Sequence, residues 1–219
     1  MTLYMIGIGL NDAKDITLKG LEIIKKCAFV YLESYTSLLQ CPIDDLEELY
    51  GRKIIEADRE YVEKKAGLIL DKALDEDVAF LVIGDVFGAT THTDLFLRAE
   101  KEGVDIEVIN NASVLNAVGI VGLELYKYGK VTSIPYPMKG FNPLSFYGVL
   151  EENLKIGAHT LLLLDIKADE AQFMTVNEGI SRLIEAEENF KKGIISWDTK
   201  AIGIARLGGK AKILPGTLK

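Results

Sequence analysis

The 219-residue sequence holds only two cysteines and two histidines, and that scarcity closes off several kinds of chemistry. Cys27 and Cys41 sit too far apart for a redox pair and bring no companion metal ligands, so they read as packing residues in a reducing compartment. Two histidines and two cysteines without ligand spacing do not make a structural zinc site. Neither His92 nor His159 has a serine, cysteine or carboxylate arranged beside it as a triad would require, so both read as structural residues.

Long apolar runs are also missing. "AFLVIG" at 79–84 and "TLLLL" at 160–164 fall far short of the roughly 20 residues a membrane-spanning helix needs. The start, "MTLYMIGIG", has no basic segment ahead of its apolar run, so it reads as a first strand rather than a secretory signal, and a cytoplasmic protein is expected. Positive charge is in deficit, with 25 Lys and Arg against 33 Asp and Glu for a net charge of −8. That balance disfavours nucleic acid and anionic membranes, both of which are held by basic patches, and points to a small-molecule or protein partner. No glycine loop ending in lysine and serine or threonine is present, which argues against a nucleoside triphosphate.

What is present is a composition that folds throughout: 48% hydrophobic, 26% charged, with no low-complexity block. Short β-rich runs at 2–9, 28–34, 53–57, 78–85, 105–111, 131–137, 159–166 and 201–208 alternate with helical periodicity, the pattern of an α/β protein with a largely parallel sheet. A helix is expected over 60–74, with Val62, Ala66, Ile69, Ala73 and Leu74 on one face, and another over 176–192, with Val176, Ile180, Leu183, Ile184 and Phe190 as its stripe. "NASVLN" at 111–116 reads as a junction between an N-terminal α/β domain, 1–111, and a C-terminal one, 112–219.

Three stretches could carry chemistry. "GIGLND" at 7–12 follows the first strand and precedes a helix starting near Thr17. The third glycine of a dinucleotide fingerprint is replaced there by Asp12, which would repel a phosphate, so the stretch reads as a plain turn. "GDVFGATTHTDLF" at 84–96 ends an apolar strand at the carboxyl edge where α/β sheets collect ligands. Thr91 and Asp94 are expected to cap the helix that follows, leaving Asp85 and Gly88 in the turn before the cap. "NNASVLNAVG" at 110–119 joins a strand to a helix through Ser113, an acceptable N-cap, with small residues that permit close approach.

Taken together, "GIGL" at 7–10, "YLESYTS" at 31–37, "GD" followed by "ATTH" at 84–92, "LLLLDIK" at 161–167 and "IARLG" at 204–208 resemble the diphthine synthases. The resemblance runs from Met1 to about Gly208. It implies the tetrapyrrole-methylase-like class of S-adenosylmethionine-dependent methyltransferases, two α/β domains with the cofactor cleft between them, and a homodimer. The implied protein substrate is translation elongation factor 2, methylated on the amino group of its modified histidine, 3-amino-3-carboxypropyl-histidine, during diphthamide synthesis. Carried over residue by residue, the cofactor contacts fall on Leu10, Asp85, Gly88, Ser113, Val114, Leu164 and Leu207, and no catalytic residue is implied.

Three departures stand out. Val86 replaces the proline of the family's "GDP" turn, and Gly88 replaces a larger apolar residue. After "IARLGG" the family runs on through a longer segment with a cofactor-contacting histidine, where this chain has "KAKILPGTLK". A tetrapyrrole methyltransferase of the same fold is the alternative, though its members open on a "GPGD"-like turn. A non-catalytic α/β binding module is another.

Overall fold

The computed structural model describes the backbone of residues 1–219 and every side chain except that of Asp169. The chain forms two compact units, one of Met1–Ala117 with Arg206–Lys210 and one of Val118–Ala205 with Ala211–Lys219.

In the first unit, β1 (Thr2–Gly7), β2 (Phe29–Glu33), β3 (Ile55–Ala57), β4 (Val78–Val82) and β5 (Asp105–Ile109) build one sheet in the order β3-β2-β4-β1-β5. Every pairing in it is parallel. β4, "VAFLV", is buried at all five positions, as a central strand covered on both faces must be. Its side chains alternate between two apolar clusters. Val78, Phe80 and Val82 join Leu3, Met5 and Tyr31 on one face, while Ala79, Leu81 and Ile83 join Ile6, Ile8, Val30 and Leu32 on the other.

Helices α1 (Leu18–Ile24) and α2 (Ile43–Tyr50) cover the second face, through Ile24, Leu46 and Tyr50. The first face is covered by α3 (Arg59–Lys64), α4 (Gly67–Asp75) and α5 (Thr93–Glu102). Thr17 caps α1, its hydroxyl accepting the Gly20 N–H at 3.0 Å.

The single helix expected over 60–74 is two. It breaks at Lys65, whose φ of −115° and ψ of 19° leave the helical region, just ahead of Gly67, a residue that weakens a helix interior. Val62, Ala66, Ile69 and Ala73 are buried as the stripe predicts, but Leu74 is 49% exposed.

The second unit departs from the parallel pattern. β6 (Thr132–Ile134) and β7 (Leu162–Leu164) pair in parallel, whereas β8 (Ile166–Lys167) with β9 (Gln172–Phe173), and β10 (Lys200–Ala205) with β11 (Lys212–Thr217), pair antiparallel. The run expected as one strand over 159–166 is interrupted at Asp165, whose carboxylate accepts the Tyr136 N–H at 2.8 Å and whose carbonyl accepts the Met174 N–H at 3.0 Å. β11 carries Pro215 and Gly216, both turn signals in a sequence. It is a strand because it pairs only with β10, so the proline's missing N–H faces no second partner.

Helices α7 (Phe146–Lys155) and α8 (Val176–Phe190) share a core with Ile134, Phe146, Tyr147, Leu183 and Ala186. Short α6 (Val114–Ala117) ends the first unit. Among the described residues, no helix is long and apolar enough to cross a membrane.

Candidate functional site

All strands of the first sheet point their carboxyl ends to one edge, and that edge is where the chain turns most tightly. Gly9 and Gly84 follow β1 and β4 and exchange backbone hydrogen bonds at 3.2 and 2.7 Å. Both have positive φ, 84° and 86°. A Cβ on Gly7 would stand 2.7 Å from the Gly84 carbonyl oxygen, so the two turns touch through bare backbone.

Asp85 sits directly after this contact. Its Oδ2 accepts the Asn111 N–H and the Asn110 amide, each at 3.0 Å, and its Oδ1 accepts the Phe87 N–H at 3.1 Å. Partial burial alone would raise its pKa. The hydrogen bonds from Asn111, Asn110, Phe87 and Gly88 outweigh burial and hold the carboxyl below its usual range, so Asp85 is an anion at neutral pH.

Gly88 lies against Ser113, and a Cβ there would be 2.5 Å from both Cβ and Oγ of the serine. The hydroxyl of Ser113, a buried residue, accepts the Leu115 N–H at 3.0 Å, making it the N-cap its position suggests and leaving Val114 half-buried at the start of α6.

Leu10 lies near the same edge, its Cδ2 reaching to 3.8 Å from where a Cβ on Gly84 would be. The Leu10 and Asn11 N–H groups both donate to Asp15 Oδ2, at 3.1 and 2.8 Å, which shapes the first turn. From far along the chain, Arg206–Lys210 joins this unit. Gly208, at φ 92°, brings its Cα against Leu10, and a Cβ would stand 2.5 Å from Leu10 Cβ. Leu207, directly before Gly208, is half-buried in the same unit.

Six of the seven expected residues, Leu10, Asp85, Gly88, Ser113, Val114 and Leu207, thus belong to the first unit. Leu164 belongs to the second, where it is half-buried in β7 and its Cδ2 approaches Gly179 of α8.

The expected cap of α5 is corrected. His92, not Thr91, occupies the N-cap position, and no side chain caps it. Asp94 is engaged elsewhere, paired with Arg98 one helical turn on at 2.6 Å. His92 itself is 1% exposed, with the rings of Phe80 and Tyr35 edge-on at 5.3 and 6.1 Å.

Two groups at the edge escaped the sequence reading. Asn110 and Asn111 carry no expected role, although adjacent asparagines ending a strand are a signal for side-chain contacts to turns. Glu33, at the end of β2, is fully buried; its carboxylate accepts the Thr36 hydroxyl at 2.6 Å and the Thr36 and Tyr35 N–H groups at 3.1 and 3.4 Å. Burial still raises its pKa against those bonds.

The sequence matches the family model for tetrapyrrole (corrin/porphyrin) methylases over residues 2–219. It is 46% identical to the diphthine methyl ester synthase of Homo sapiens, covering 99% of this chain and 83% of that one. The Aspergillus fumigatus diphthine methyl ester synthase is also 46% identical, over 99% of this chain and 82% of the relative. Among solved structures, a crystal structure of diphthine synthase superposes with a TM-score of 0.87 at 34% identity, covering 100% of this chain and 82% of that one. A family match across essentially the whole chain, with relatives nearly half identical to it, means that the chain belongs to the tetrapyrrole (corrin/porphyrin) methylases and, among them, to the diphthine synthases, which are methyltransferases.

Proposed function

We propose that this methyltransferase uses S-adenosylmethionine to methylate the 3-amino-3-carboxypropyl-histidine of translation elongation factor 2. The observation that carries the reading is the near-full-length match to relatives named diphthine methyl ester synthases. Their name describes an ester, so the acceptor on this reading includes the carboxylate of the aminocarboxypropyl group as well as its amine.

The residues at the sheet edge fit the cofactor. Asp85 is an ionised, half-buried carboxylate suited to a cationic ligand, and the bare backbone at Gly84 and Gly88 leaves no side chain in the way. We assign the cofactor contacts to Leu10, Asp85, Gly88, Ser113, Val114 and Leu207. Leu164 enters the proposal from the family resemblance alone.

When bound, S-adenosylmethionine supplies an electrophilic methyl group on a positively charged sulfur. An α-amino group with an ordinary pKa of about 7.7–8.0 has an appreciable neutral fraction near pH 7 and attacks without a dedicated base. Transfer to that amine would need only that the nitrogen lie in line with the methyl–sulfur bond and that water take up the proton the methylated ammonium releases. The chain's own work is placement. Holding nucleophile and methyl in line can contribute roughly 7–11 kcal/mol. A cytoplasmic homodimer belongs to the same proposal, in keeping with a soluble protein substrate.

Labelled S-adenosylmethionine incubated with the chain and elongation factor 2 carrying the unmethylated aminocarboxypropyl group is expected to label the factor. Label appearing only on an added porphyrinoid would instead favour the tetrapyrrole methylases that give the family its name. In the same preparation, S-adenosylhomocysteine should raise the melting temperature, and Asp85→Ala should abolish most of that rise; an undiminished rise removes Asp85 from the site.

A further inference from the structure

Asn111 connects three parts of this edge: the end of β1 with the turn after it, Asp85, and the segment leading to Ser113. Its amide Nδ2 donates to the Gly7 carbonyl at 2.9 Å, at the end of β1, and to the Asp15 carbonyl at 3.0 Å, in the turn that follows. Its backbone N–H donates to Asp85 Oδ2 at 3.0 Å. Its Oδ1 accepts the Ala112 N–H at 2.7 Å, which orients the amide and the segment leading to Ser113. Asn110 adds a second donor to the same Asp85 oxygen from the exposed side.

Both partners of Nδ2 are carbonyl oxygens, which can only accept. A side chain of this length with two N–H donors is therefore required, and asparagine is the residue that supplies them. Asp15, whose carbonyl Asn111 holds, uses its own carboxylate to bind the Leu10 and Asn11 N–H groups. One side chain thus fixes the turn bearing Leu10, its main chain fixes Asp85, and its oxygen fixes the approach to Ser113.

We infer that Asn111, assisted by Asn110, is the positioning residue for the methyl donor, locking the Leu10 turn, the Asp85 carboxylate and the Ser113 segment into one binding geometry. This rests on the reading above that the donor binds at this edge. Asn111 acts through those groups and is not itself a catalytic residue.

The test is the dissociation constant for S-adenosylhomocysteine, by calorimetry, at a temperature where circular dichroism shows each variant folded. Asn111→Ala is expected to weaken binding about tenfold or more. Asn111→Asp, equal in shape but with an oxygen facing two carbonyls, should weaken it further. A residue that merely supports the fold would lower the melting temperature while the folded protein bound with an unchanged constant. Binding within twofold of the parent chain in a folded Asn111 variant overturns the inference.

Should neither Asn111 variant fold, Asn110→Ala decides, since Asn110 is exposed. Losing its bond lets the Asp85 pKa rise, so the acid-side loss of binding should begin at a higher pH with an unchanged melting temperature. An unshifted pH profile overturns the inference. A parent chain that does not bind S-adenosylhomocysteine at all refutes the cofactor reading itself and is thereby distinguished from failure of the asparagine pair.

Discussion

At the scale of single residues, His92 and Asp85 show how one stretch of thirteen residues divides its work. Neither ring nitrogen of His92 has a hydrogen-bond partner among the described residues, and burial pushes its pKa down to about 4. Above the ordinary value of 6.5 the imidazole is neutral in folded and unfolded chains alike. As pH falls from 6.5 toward 4 the unfolded chain gains a proton that the folded one refuses, so stability is lost, up to about 3 kcal/mol. Urea unfolding at pH 7.5 and 4.5 should show this loss, and His92→Leu should make the pH dependence shallower. An unchanged slope would mean that His92 is solvated. The histidine's structural role was legible because no serine, cysteine or carboxylate is arranged beside it as a triad; its depth was not, because Phe80 reaches it from β4 and Tyr35 from the turn after β2.

At the scale of elements, similar capping chemistry has two outcomes. Thr175 and Glu178 form a capping box at α8, the Thr175 hydroxyl accepting the Glu178 N–H at 3.2 Å and Glu178 Oε2 accepting the Thr175 N–H at 2.7 Å. Thr175→Ala should cost about 1 kcal/mol, a fall of roughly 2–4 °C in melting temperature for a chain of this size; scanning calorimetry checks it. "TTHTD" carries similar chemistry ahead of α5 and does not cap, because Asp94 turns forward to Arg98 and the Thr90 hydroxyl donates to the Val86 carbonyl at 2.6 Å. Buried strands of the first sheet were evident from their apolar runs. β11 was not, since an edge strand with Pro215 and Gly216 shares its composition with a turn.

At the scale of the whole molecule, the first unit is assembled from distant parts of the chain, with Arg206–Lys210 returning to it after the second unit is almost complete. Gly208 makes that return possible, since its φ of 92° and its contact with Leu10 leave no room for a side chain. Gly208→Val should force the segment away from the first turn. The expected outcome is faster amide hydrogen exchange at residues 8–12 and weaker binding of S-adenosylhomocysteine. Unchanged exchange there would show that the segment does not brace Leu10.

Local chemistry determined much from the sequence alone. Short apolar runs marked the strands of the first sheet, Thr17 marked a helix start, and a set of short motifs placed the chain among the diphthine synthases, because each depends on residues within a few positions of one another. Tertiary structure alone decided which groups meet. Asp85 becomes a fixed anion only when β5 delivers Asn110 and Asn111 beside it, and Leu10 meets Gly208 only when the chain returns from the second unit. The physical reason is range: propensity and capping act over a turn or two of chain, whereas hydrogen bonds and steric contacts act over a few ångströms of space, whatever the separation in sequence.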